Sequence, residues 1–332
     1  MGKPVRMADI AEKLDISVVS VSKALAGKPG VSEEMRARVV ALARQMGYES
    51  GRMRPEAAGS GNIGVLVADR FFDENAFYTS LYRSLVIQCG EEGLACMIEI
   101  VSQEAEMEAR LPALAAGRKV DGLVVMGNLA VPYIVALREC AIPGILLDGN
   151  IPGQALDCVL SDNMDGGYTL TRHLLDRGYT EIGYVGAILS TSSIMERYLG
   201  YQRALRGAGI VPKEEWLLAD RDRDGRFIPI RLPEKLPQAF VCNCDEVAFH
   251  LIEELRQKGV RVPEDVAVCG YDDYRFATLS KPALTTYRVD VERMAAAAVG
   301  QLLRKLRQEH TEPLSCIVPG HLVIRESTGA VS

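Results

Sequence analysis

The sequence predicts an α/β protein in which an N-terminal three-helix, helix-turn-helix head precedes two doubly wound parallel-sheet subdomains. Three observations predict it. Residues 5–48 hold three short amphipathic runs with a polar turn between the first two, residues 49–61 are small, polar and punctuated by Gly and Pro, and from Asn62 onward short apolar strands alternate with helical stretches. With 332 residues and 48% hydrophobic content the chain can bury more than one core, and no apolar stretch has the length needed to span a bilayer.

Spacing builds the head. Ile10, Ala11 and Leu14 share one helix face, and Val21, Ala24 and Leu25 share one face of the next, so two apolar stripes can pack together. Asp15-Ile16-Ser17 supplies a tight turn, with Ser17 placed to cap the second helix. Ser32 opens the third helix as an N-cap, Glu33 and Glu34 suit its positive end, and Gly47 stops it after the stripe Val39, Leu42, Ala43 and Met46. The outer face of the second helix is left to Val18, Val19, Ser20, Ser22 and Lys23. Valines gain nothing there in water. Against a major groove they meet thymine methyls, while Lys23 reaches guanine acceptors and the hydroxyls bond phosphates. The pattern alone also fits a helical protein-interaction domain with a solvated serine-rich face.

The order Asp9-Ile10-Ala11, then Ser17-Val18-Val19-Ser20-Val21-Ser22-Lys23-Ala24-Leu25, then Val31-Ser32 and Gly47-Tyr48 resembles the head of the lactose-repressor (LacI/GalR) family of bacterial transcription regulators. The resemblance extends through the whole chain. It implies base contacts at Val18, Val19 and Lys23, phosphate contacts at Ser17, Ser22 and Ser32, and a homodimer on double-stranded operator DNA in the cytoplasm. No export signal is expected ahead of the head, and with no leucine heptad expected at the far end a dimer is favoured over a tetramer.

Charge follows the same division. Residues 1–60 hold ten Lys and Arg against seven Asp and Glu, an excess of three, whereas the remainder holds 28 against 37; the whole chain is −6. The basic end is the head, with an excess modest enough that directed contacts and dimerisation must add to counterion release.

The segment 49–61 has the composition of a hinge linker. Members of the family usually form a short hinge helix there, with a leucine wedged into the minor groove. The matching position is Ala57, a poor wedge, preceded by Pro55, which can open a short helix. Arg52 and Arg54 either supply minor-groove or phosphate charge or are merely solvated.

Strands are expected at Ile63–Ala68, Leu94–Ile100, Gly122–Met126 and Gly144–Asp148, then at Ile182–Gly186, Ala239–Cys242 and Val266–Cys269, too many for one small sheet. The resemblance implies a periplasmic-binding-protein-like core over 62–332. Its first subdomain would take residues 62–158 and 290–315, and its second 159–289 and 316–332. Segment 285–289 and a helix from Val291 would return the chain to the first, and Leu322–Thr328 would rejoin the second.

Ligands of open parallel sheets sit beyond the carboxyl ends of strands, which singles out Asp148, Asp162, Asn163, Asp272 and Asp273. The resemblance carries effector binding onto Asp148, Arg197 and Asp272, and a ligand-covering role onto Phe77 and Tyr78, with Ala76 where a proline is usual. Carboxylates, a guanidinium fork and aromatic faces suit a sugar or sugar derivative. Cys244 occupies the position of the usual ligand-bonding asparagine, with Asn243 displaced by one. Any of these acids could instead be a helix cap or turn residue. The alternating charges of Asp220–Phe227 either pair among themselves or present Arg223 or Arg226 to an anionic effector such as a sugar phosphate.

The eight cysteines fall mostly in apolar runs without metal-type spacing and read as reduced core thiols, so neither metal nor cofactor is expected. Enzymatic chemistry is not expected either: no Gly-x-Gly-x-x-Gly turn or phosphate-cradling loop occurs, and His173, His250, His310 and His321 are scattered. The expected function is an effector-controlled, sequence-specific transcriptional regulator, most simply a repressor. The alternative is a cytoplasmic small-molecule sensor or binding protein without specific DNA binding.

Overall fold

A computed structural model describes residues 7–25, 30–46, 60–72, 76–151, 153–222, 225–309 and 312–329. The chain divides into two compact units, Met1–Gly59 and Ser60–Ser332. Segment 47–59 lies outside the described residues, and with it Gly47-Tyr48 and the hinge positions Arg52, Arg54, Pro55 and Ala57.

The first unit contains α1 (Met7–Leu14), α2 (Val18–Leu25) and α3 (Glu33–Gln45). Helix α1 ends where Asp15 turns left-handed (φ 51°) and the Ile16 N–H returns to the Ala11 carbonyl at 3.1 Å. The Ser17 hydroxyl then accepts the Ser20 N–H at 3.0 Å and starts α2, and the Ser32 hydroxyl accepts the Met35 N–H at 3.3 Å and starts α3. Ile10, Ala11, Val21, Ala24, Val39 and Ala43 are buried together, and Leu14, Leu25, Leu42 and Met46 pack on them. The stripes read from the sequence are this core.

The second unit contains two six-stranded sheets. The first has β1 (Asn62–Ala68), β2 (Ala95–Val101), β3 (Gly122–Met126), β4 (Gly144–Leu147), β5 (Cys158–Ser161) and β11 (Ser315–Val318) in the order β11-β5-β4-β3-β1-β2, all parallel. The second has β6 (Ile182–Val185), β7 (Leu217–Leu218), β8 (Ala239–Cys242), β9 (Ala267–Asp272), β10 (Thr285–Arg288) and β12 (His321–Val323) in the order β12-β10-β9-β8-β6-β7. Only β10 and β12 in that sheet are antiparallel. Helices α4 (Asp69–Phe72), α5 (Ala76–Glu91), α6 (Gln103–Met107), α7 (Ala113–Ala116), α8 (Val131–Glu139) and α13 (Val291–Leu306) accompany the first sheet. Helices α9 (Asn163–Asp176), α10 (Ser192–Gly207), α11 (Asp245–Gln257) and α12 (Arg275–Leu279) accompany the second. The chain therefore passes between the lobes three times: after β5, through α13, and after β11.

Two of these passages lie a few residues beyond where the sequence placed them. Residues 159–161 and 316–318, expected in the second subdomain, stay in the first sheet, with Cys158 opposite Ser315. The cause is a long-range tie. The Asp157 carboxylate accepts the Leu314 N–H at 2.9 Å and pairs with the Lys305 ammonium, so β5 and β11 start side by side.

Helices α9 and α10 meet backbone to backbone. A Cβ at Gly167 would lie 2.1 Å from the Arg197 carbonyl oxygen, and one at Gly200 2.1 Å from that of Met164. Only hydrogen fits at these two positions, and the contact sets the height of Arg197 above the sheet. Gly167→Ala and Gly200→Ala should each cost about 1–3 kcal/mol in urea unfolding, whereas Gly207→Ala, whose Cβ would meet nothing within 4 Å, should be neutral or stabilising. Equal effects of all three would contradict this packing.

Candidate functional site

On the head, α2 presents Val18 and Val19 at 47% and 63% exposure, with Lys23, Ser17 and Ser32 also exposed. Ser20 and Ser22 are less open than these. They are half-buried, because a turn of about 100° per residue puts both beside the buried Val21. The Ser20 hydroxyl is also taken up at 2.9 Å from that of Ser17. The open face of α2 is thus two valines and a lysine, bordered by capping hydroxyls.

In the second unit the strand-end acids and Arg197 come together. Asp148 follows β4 in the left-handed region (φ 57°), and Asp272 closes β9 at φ 100°. Such conformations cost L-residues about 1–2 kcal/mol each, which these aspartates bear at the site. Arg197, on α10, is buried among them. Its Nε donates to Asn163 Oδ1 at 2.9 Å, its Nη1 to the Asn243 carbonyl at 2.6 Å, and its Nη2 lies 3.4 Å from Asp272 Oδ1. The guanidinium carbon stands 3.7 Å from the centre of the Tyr271 ring. From the other lobe the Tyr78 hydroxyl, on α5, donates to Asp148 Oδ2 at 2.9 Å.

The electrostatics follow from burial. It pushes Asp148 from an ordinary 3.8 up to about 6 against the pull of Arg197, and it raises Asp272 against Arg197 and Arg221. Burial alone would lower Arg197, but the facing Asp272, Tyr271 and Asp148 more than reverse it and hold the guanidinium charged. A second layer supports these groups. Asn163 Nδ2 donates to Glu196 at 3.0 Å and Asn243 Nδ2 to Asp220 at 2.7 Å, while Asp220 also accepts the Ala187 N–H at 2.6 Å and pairs with Arg221 at 3.1 Å.

The remaining sequence candidates separate. Phe77 is buried edge-on to Tyr78, ring centres 5.3 Å apart. Cys244 is buried at the start of α11, its thiol pushed up to about 12 by burial, so it stays neutral. Asp162 caps α9 through the Asp165 N–H at 3.1 Å, and Asp273 pairs with Arg325 at 2.6 Å, so both are structural. Arg221 stacks 4.7 Å over Phe227 beside Asp220, which favours the self-paired reading of that loop; Arg226 is exposed, and Arg223 lies outside the described residues. The sequence reading missed Glu196, Asp220 and Tyr271. Asp220 lies just past β7 and the strand-end rule could have found it; nothing local singles out Glu196 or the Tyr271 ring. Among the described residues no group of three or more His, Cys, Asp or Glu is placed to hold a metal ion, and no helix is long and apolar enough to cross a membrane.

A helix-turn-helix head joined to a two-lobed α/β core with a buried charged cluster at its strand ends defines a DNA-binding regulator with a small-molecule domain. The chain carries a head of the lacI family of bacterial regulatory proteins, matched over residues 6–50, and a periplasmic binding protein-like domain, matched over residues 171–328. It is 27% identical to the HTH-type transcriptional repressor PurR of Haemophilus influenzae strain Rd, over 97% of this chain and 98% of that one. It is 24% identical to PurR of Glaesserella parasuis, over 96% and 97%. Its fold aligns with the transcriptional regulator CelR–cellobiose complex at a TM-score of 0.71, with 24% identity over 97% and 99% of the two chains. It aligns with the lac repressor dimer bound to operator and the anti-inducer ONPF at 0.71, with 22% identity over 99% and 100%.

Asp148 provides a pH signature. Its folded-state value lies above the ordinary one, so the native state holds this proton more tightly than the unfolded chain. Its contribution is fully present below about pH 4 and lost as pH rises through about 6. Asp148→Asn, which still accepts from Tyr78, should therefore gain stability relative to the parent between those limits, by up to about 3 kcal/mol. Urea unfolding at pH 4.5 and 7.5 checks this; a pH-independent difference would show that the carboxyl is solvated.

Proposed function

We propose that the protein is a transcriptional repressor that binds a near-palindromic operator as a homodimer and is controlled by a sugar or sugar derivative held between the two lobes of its core. In this reading residues 1–48 bind DNA, 49–61 form the hinge, and 62–332 bind the effector and dimerise. The observation that carries it is the exposed face of α2: apolar Val18 and Val19 beside Lys23, anchored by two capped helix starts. That face suits a major groove better than water.

Val18, Val19 and Lys23 are proposed as base readers and Ser17, Ser22, Ser32 and Arg52 as phosphate or groove contacts, with Ser20 fixing the cap. Asp148, Arg197 and Asp272 are proposed to bond effector hydroxyls, with Tyr78 and Phe77 covering and Cys244 lining the site. Similarity in sequence to transcriptional repressors and in fold to a regulator–cellobiose complex supports the reading of a repressor with a sugar effector. A second copy is proposed to cover the exposed Val86 and Ile87 of α5 and Ile100 on the edge strand β2. In this reading the protein acts on operator DNA in the cytoplasm as a binding protein rather than an enzyme. A coupling of about 1–3 kcal/mol between effector and lobe arrangement would change operator affinity by roughly 5- to 150-fold.

Selection of bound sequences from a randomised duplex pool should enrich a two-fold symmetric motif, followed by steep salt dependence in anisotropy titration. On that site Lys23→Ala should relax one base position by about 1–3 kcal/mol. Enrichment of no sequence, with or without sugars present, would refute the proposal in favour of a small-molecule sensor.

A further inference from the structure

The polar cluster around Arg197 is short of positive charge. Among the described residues, the buried or half-buried carboxylates of Asp148, Glu196, Asp245 and Asp272 act on one another there, and Asp220 lies beside them through Asn243. The cations facing them are Arg197 and Arg221. Asp220 is answered by Arg221, Asn243 and the Ala187 N–H, and Asp245 by the Thr286 hydroxyl at 2.6 Å and the Tyr274 N–H at 3.2 Å. That leaves Asp148 to Arg197 and the Tyr78 hydroxyl, and Asp272 to Arg197 with Arg221 acting on it from farther off.

A second observation concerns hydrogen bonding. Among the described residues nothing donates a hydrogen bond to Asp272 Oδ1 or Asn243 Oδ1, both buried, with Asn243 1% exposed and Asp272 8%. Asp272 Oδ1 faces the Arg197 Nη2 across 3.4 Å, a charge contact without hydrogen-bond geometry. Buried acceptors without donors, in a site with surplus negative charge, are costly until something supplies both.

We infer that the effector supplies hydrogen-bond donors together with a positive charge, as an amino sugar does, and that phosphorylated sugars are excluded. This rests on the sugar reading of the site proposed above and narrows it. An ammonium among Asp148 and Asp272 makes charge-assisted bonds to two carboxylates whose nearest described cation is the shared Arg197. A phosphate there would bring two more negative charges to buried carboxylates, with Arg197 already engaged on Asn163, Asn243 and Tyr271. Among the described residues the cluster's other cation, Arg221, is already paired with Asp220 and stacked on Phe227, and Arg226 is solvent-exposed.

Calorimetric titration of the full chain tests this with three matched series, each comprising the hexosamine, the hexose and the hexose 6-phosphate of the glucose, galactose and mannose configurations. In the series that binds, the amine should bind at least about tenfold more tightly than the hexose, and the 6-phosphate should give no detectable heat. Asp272→Asn should reduce the preference for the amine over the hexose. If a hexose or its 6-phosphate binds as tightly as the amine, the sugar reading stands and this inference alone falls. If no compound of any series binds, the sugar reading fails and takes the inference with it.

Discussion

Keeping the Arg197 guanidinium charged inside the protein is the constraint on which the rest of the core depends. Removing a cation from water costs several kcal/mol even after relaxation, and that cost is offset only by well-placed partners. Here they come from four places: Asn163 at the start of α9, Asn243 beyond β8, Tyr271 and Asp272 at the end of β9, and Asp148 beyond β4 in the other lobe. Gly167 and Gly200 let α9 and α10 approach closely enough to deliver the side chain, and left-handed backbone at Asp148 and Asp272 turns the carboxylates toward it. Packing, backbone strain and charge are thus one arrangement.

That arrangement also explains how a ligand could be felt far away. Asp148 and Tyr78 belong to the first lobe, Arg197 and Asp272 to the second, and the lobes are joined by three passages of the chain. Asn128 on the first lobe donates to the Ser192 hydroxyl at the start of α10 at 3.2 Å, so the two lobes share a further polar contact. A ligand that changes the charge balance between the lobes biases how they sit against each other, and differential affinity for two lobe arrangements is what allosteric control requires.

Much of this was legible in the sequence, for identifiable reasons. The head's stripes follow helical spacing, and Ser17 and Ser32 cap their helices as their hydroxyls and positions require. The strand-end rule found Asp148, Asp272 and Asn163 because it depends on topology alone. What escaped depends on contacts between distant segments. The placement of β5 and β11 rests on Asp157 holding Leu314 and Lys305, more than a hundred residues away. Glu196 and the Tyr271 ring matter only through Arg197. The half-burial of Ser20 and Ser22 depends on how α2 packs in the head, which the helical face alone does not show.

A double-mutant cycle between Arg197 and Asp272, read by urea unfolding at pH 7.5, tests the dependence on this buried charge most directly. Arg197→Met should cost about 3–5 kcal/mol by leaving Asp272 and the asparagine acceptors uncompensated. Asp272→Asn should restore part of that loss, giving a coupling above about 1 kcal/mol. Additivity of the two substitutions to within about 0.5 kcal/mol would show that Arg197 and Asp272 are independent, and would contradict the account.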